Sequence, residues 1–131
     1  MQLSDRMKGL AFIQVRAARE ADGGLLDFSR DSLGALDRLI DRDVSHRPLD
    51  PDALSEVIGA YLGETLCRRL GATWEETVAG PRLRLGGLVL DPLARARLRV
   101  TQGKRRSLER YFAEVERARA RGRSGEGLED A

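Results

Sequence analysis

The stretch from Asp50 to Pro92 constrains this chain most, because its punctuation spells one continuous supersecondary unit. Asp50 and Pro51 read as an N-cap followed by proline at the first helical position, where the missing N–H has no helical partner to lose. Leu54, Val57, Ile58, Tyr61, Leu62, Leu66 and Leu70 recur at helical spacing, Arg68 and Arg69 occupy the last turn, and Gly71 supplies the stop. Trp74 to Val78 and Leu83 to Leu90 read as an antiparallel pair connected through Gly80-Pro81. Gly86-Gly87 within the second run marks a bulge or a second turn, and a second turn gives three short strands instead of two. Asp91-Pro92 repeats the helix-start signature. The alternation of Ala94 to Val100 favours a strand, but the cap and the Leu, Ala and Arg content decide for a helix to about Gln102, closed by Gly103.

The flanks supply further helices. Ser4 is placed to cap a first helix carrying Met7, Leu10, Ala11, Phe12, Ile13 and Val15, although Leu10 to Val15 is apolar enough for a strand. Leu25 to Phe28 is expected to be extended. Ser29 caps a second helix with Leu33, Leu36, Leu39 and Ile40 on one face, and Asp41 to Pro48 is expected to be a loop. Ser107 starts a last helix with Leu108, Tyr111, Phe112 and Val115 inward. The expectation is a single α+β domain over residues 1–118, four or five helices on a small antiparallel sheet. Residues 119–131, rich in Arg and Gly, are expected to form a disordered tail.

The 131 residues are enough to bury a core, and no apolar run approaches the roughly 20 residues that span a bilayer. One cysteine leaves no internal disulfide, and residues 1–6 lack a signal-peptide pattern, so a cytoplasmic protein away from membranes is expected. Charge is split unevenly: residues 1–66 carry a net −4 and the remainder a net +6. Eleven basic residues against three acidic ones lie between Arg95 and Arg123, and all but Lys8 and Lys104 of the chain's basic residues are arginine.

Two places draw attention as sites. Gly59 and Gly63 lie one helical turn apart, and a glycine inside a helix costs about 1 kcal/mol against alanine. Something packs closely there: either a neighbouring element crosses, or a small cleft brings Tyr61, Glu64 and Trp74 to a ligand or partner. Glu64 is four residues before Arg68 and so has an ion-pair partner available. The second place is the basic segment, where Arg95, Arg99, Lys104, Arg105, Arg106 and Arg110 are candidates for phosphate contacts. Its alternative is that the same arginines face the acidic first half of the chain or a partner's acidic surface. No nucleophile–base pair is legible, since Cys67 beside Leu66 reads as a packed side chain and His46 stands far off in sequence. Metal-ligand and phosphate-loop spacings are missing, so no cofactor is expected.

The run Tyr61-Leu62-Gly63-Glu64, then Leu70-Gly71-x-x-Trp74, then Asp91-Pro92 ahead of a final helix, resembles a group of small uncharacterised bacterial proteins with a YLGE…GxxW…DP pattern. The resemblance covers roughly Leu25 to Val115. It implies a compact α+β fold and a bacterial origin, brings no established activity, and assigns no catalytic residue. The leading expectation is a non-enzymatic interaction or adaptor protein, with a protein partner or a second copy bound near Tyr61, Glu64 and Trp74. Nucleic-acid binding through Arg95 to Arg123 is the alternative, and a hydrolase-like enzyme around Glu64 and Tyr61 is a weaker one.

Overall fold

The central helix is the element its boundary residues promised. A computed structural model describes residues 2–22, 26–46 and 50–121. In it Asp50 takes an extended backbone and its carboxylate accepts from Asp52 N at 3.0 Å, starting α3, Pro51–Leu70. Gly71 ends the helix at φ 84°, a left-handed conformation that glycine adopts without penalty. From Ile58 to Leu66 every residue of α3 is buried, because the rest of the molecule is built around it. Helices α1 (Leu3–Asp22) and α4 (Pro92–Gln102) pack most extensively against it.

The polypeptide then forms a three-stranded antiparallel sheet in the order β1 (Thr73–Thr77), β2 (Gly80–Leu85), β3 (Leu88–Leu90). Gly86 adopts φ 59° in the two-residue link, so the second turn is real and the sheet has three strands. Trp74 pairs with Leu83 and Leu83 with Leu90, and these residues with Leu85 and Leu88 form the buried face. Asp91 caps α4 by accepting from Ala94 N at 3.0 Å. The period-two pattern of Ala94 to Val100 is a helix whose buried side includes Arg95, Ala96 and Arg99. Helices α2 (Arg30–His46) and α5 (Leu108–Arg121) pack on each other, and a 3₁₀ turn, Lys104–Arg106, joins α4 to α5. This is one α+β fold of five helices and a three-stranded sheet.

Several local expectations change. The first helix begins at Leu3, so Ser4 lies in its first turn and not at its cap, and Leu10 to Val15 is helical. Ser29 caps α2 as expected, its hydroxyl accepting from Ser32 N at 3.1 Å. Helix α2 continues through His46, replacing the loop expected from Asp41; residues 47–49 lie outside the described residues. Leu26 and Asp27 have no regular structure, and Phe28 is not extended: it sits at φ 62°. Residues 119–121 continue α5, while 122–131 lie outside the described residues.

Candidate functional site

Both glycines of α3 are explained by what approaches them. A Cβ on Gly59 would lie 2.7 Å from Leu93 Cα at the start of α4, and one on Gly63 would lie 2.2 Å from Trp74 Cζ2. The first glycine admits a helix backbone and the second an indole ring. The Trp74 ring thereby comes close enough to α3 for its Nε1 to donate to Glu64 Oε2 at 3.0 Å.

This pairing floors a cavity of about 380 Å³ lined by Ser4 and Lys8 of α1, Glu64, Cys67 and Arg68 of α3, and Ala72, Thr73 and Trp74 at the head of β1. Glu64 is 2% exposed, and a buried carboxylate needs partners to keep its charge. It has only part of a set. Besides the indole, Arg68 Nε stands 3.6 Å from Oε1, too long for a hydrogen bond, and no donor among the described residues completes that oxygen. Arg68 is held from outside the cavity, its guanidinium carbon 3.9 Å over the Phe28 ring and 5.8 Å from the Phe12 ring. Burial, with the Glu64 charge adding to it, pushes the Cys67 thiol up to about 12 against the pull of Lys8 and Arg68. The thiol is therefore neutral at physiological pH and unsuited to nucleophilic attack.

Tyr61 does not join this cavity. It is fully buried, its ring is stacked on Phe28 at 4.8 Å, and its hydroxyl accepts from Phe28 N at 2.8 Å and shares a 2.7 Å bond with Ser32 Oγ. Burial pushes the phenol up. Arg69 Nε donates to Phe28 O at 2.8 Å, so both backbone groups of Phe28 are fastened in a conformation that a bulky residue rarely adopts. Of the expected trio, Glu64 and Trp74 come together and Tyr61 works as an internal strut.

Two arginines of the basic segment, Arg95 and Arg99, are consumed inside the fold. Arg99, 2% exposed, donates from Nε to Asp37 Oδ1 at 2.7 Å and from Nη2 to Asp41 Oδ1 at 2.7 Å and to Asp37 O at 2.9 Å. Burial works against its charge, but the two aspartates outweigh that and hold its pKa above the ordinary guanidinium value. Arg95 is also buried, with its guanidinium carbon 4.7 Å over the Tyr111 ring. Neither belongs to a phosphate-contacting surface, which corrects the expectation for both. Arg97 pairs with Asp52, and Arg119 donates to Leu70 O at 2.8 Å, capping α3. Lys104, Arg105 and Arg110 remain exposed and Arg106 partly so, with Arg105 and Arg106 both donating to Gln102 Oε1. Of the arginines of the basic half, Arg97 and Arg99 face the acidic first half, at Asp52, Asp37 and Asp41.

No known protein family, curated protein or solved structure matches this chain. Among the described residues no helix is long and apolar enough to cross a membrane, and no group of three or more His, Cys, Asp or Glu side chains is placed to hold a metal ion. Sequence reasoning missed Lys8, Phe28 and Asp37. Lys8 had one signal, being one of only two lysines; Phe28 and Asp37 had none, because their roles depend on partners far along the chain.

Proposed function

We propose that this chain is a non-enzymatic interaction or adaptor protein of the cytoplasm, docking a protein partner across α1 and the adjoining end of α3. The observation that carries this reading is that Phe12 and Ile13 of α1 are 48% and 54% exposed, with Phe12 beside the Phe28–Arg68 stack. Aromatic residues and arginine are enriched at protein interfaces, and arginine is among the residues that dominate their binding energy. Glu64, held by Trp74, makes a long ion pair with Arg68 of this face, and Tyr61 supports the face through Phe28. The test is to compare the wild type with the Phe12→Ser/Ile13→Ser double variant by light scattering and by affinity capture. Loss of self-association or of a specific partner in a variant that still folds supports the reading. Identical behaviour of the two proteins overturns it.

A second reading, nucleic-acid binding, keeps Lys104, Arg105, Arg106 and Arg110 as its contacts, because these stay at the surface within seven residues. It calls for affinity that falls steeply with salt. The hydrolase-like reading has the least support, since Glu64 and Tyr61 engage different neighbours.

A further inference from the structure

A buried carboxylate with an incomplete set of donors beside an open cavity asks for a ligand that brings a donor. Glu64 Oε2 is committed to the Trp74 indole, and Oε1 has only the long Arg68 interaction. Lys8, on α1, lines the same cavity and supplies a second cation, and it makes no ion pair or hydrogen bond with any described residue. One cavity thus presents a carboxylate oxygen and an ammonium that are not hydrogen-bonded to any described residue. The cavity volume of about 380 Å³ lies near the lower end of small-molecule pockets, which run from about 300 to 1,000 Å³. That suits one compact molecule and is tight for a nucleotide.

We propose that the cavity between α1, α3 and the head of β1 binds a small amino-acid-like zwitterion, its ammonium on Glu64 Oε1 and its carboxylate on Lys8. The ammonium completes the buried carboxylate with a charge-assisted hydrogen bond. The carboxylate neutralises Lys8 and lies within the field of Arg68, which is already fixed on Phe28 and so loses little freedom on binding. Ala72 and Cys67, with its neutral thiol, offer an apolar lining to the ligand's carbon skeleton. This site extends beyond partner docking, since it requires nothing of Phe12 or Ile13.

Trp74 is the only tryptophan in the chain and donates to the very carboxylate in question, so its emission reports occupancy directly. The experiment titrates the full chain with a panel of L-amino acids, with propylamine and with propionate. A saturable change with at least one amino acid is expected, and each half-molecule should bind about tenfold more weakly or worse, having lost one charge-assisted interaction. Glu64→Gln and Lys8→Gln should each weaken binding by a similar factor. Lys8 is exposed, so its variant folds and keeps the test decisive even if Glu64→Gln does not. Absence of any saturable change at millimolar concentration overturns the proposal. So does wild-type affinity in Lys8→Gln, or propionate binding as tightly as the amino acid, which would make the cavity a simple anion site.

Discussion

Two carboxylates, the half-buried Asp37 and the buried Glu64, are treated in opposite ways. Asp37, on α2, receives Arg99 Nε at 2.7 Å, Leu108 N at 3.0 Å, Ser107 Oγ at 2.9 Å and Glu109 N at 3.2 Å. Four donors from outside α2 occupy both oxygens, so Asp37 caps α5 from another helix while neutralising a buried arginine. Glu64 is more deeply buried, yet has one hydrogen bond and a distant cation. A carboxylate saturated by its own protein is a fastening; one left short of donors beside a cavity is available for a visitor. The chain assigns the two roles to different helices, α2 and α3, and that separation is what mutation can probe.

The largest effect is expected at the saturated site. Asp37→Ala strips four hydrogen bonds and leaves Arg99 buried with Asp41 and the residue 37 carbonyl for company. Breaking such a buried pair costs about 3 kcal/mol or more, and denaturant unfolding should show a midpoint shift of that size. Glu64→Gln should behave differently. The amide oxygen still accepts from Trp74, and only a long ion pair with a half-exposed arginine disappears, so stability should change by no more than about 1 kcal/mol. If the two substitutions cost the same, the distinction between a fastening and a receptive carboxylate fails.

Gly63→Ala tests the support of the cavity and should fall between them. The added methyl would meet Trp74 Cζ2 at 2.2 Å and Cη2 at 2.4 Å, so the rigid ring must leave its seat. Overpacking costs about 1–3 kcal/mol, and a clash this close with a rigid ring belongs at the upper end, set against about 1 kcal/mol gained in helix propensity. A net loss of about 2 kcal/mol is expected in the same unfolding assay, with a shift of tryptophan emission as the bond to Glu64 breaks. Unchanged emission would mean that the glycine is not there to admit the indole.

The same contrast explains what was legible in the residues. Asp50-Pro51, Gly71, Asp91-Pro92 and Gly86-Gly87 act through local backbone geometry, so they read directly. Gly59 and Gly63 are readable as close approach, although not as one glycine for α4 and another for Trp74. Glu64 with Arg68 follows from helical spacing. The Asp37 junction joins residues 62 to 72 positions apart, and no local pattern announces it. Arg95 and Arg99 mislead for a related reason: arginine counts as surface charge until its partners are known, and here those partners are aspartates and an aromatic ring of other elements. Phe28 reads as extended because nothing nearby hints at φ 62°; Tyr61 and Arg69, 33 and 41 residues away, hold it there.

The smallest effect concerns stability least and the cavity's field most. The Cys67 thiol is pushed up to about 12 by burial and by Glu64, while Lys8 and Arg68 pull it the other way. A folded pKa above the unfolded one means that the folded chain holds this proton more tightly. The resulting stabilisation is complete below the usual thiol range, near 9, and is lost as pH rises from there towards about 12. Because only thiolate reacts, alkylation of the folded chain at about pH 8 should run roughly tenfold slower or worse than that of the unfolded chain. Lys8→Gln removes one of the two cations that favour thiolate, so it should slow alkylation further. Asp37→Ala, whose carboxylate is not among the groups that set this thiol's pKa, should leave the rate in the folded fraction unchanged. A slower reaction in Lys8→Gln alone would place Lys8 electrostatically inside the cavity. Equal rates in all three proteins would put its ammonium out of reach of both the thiol and any carboxylate bound there.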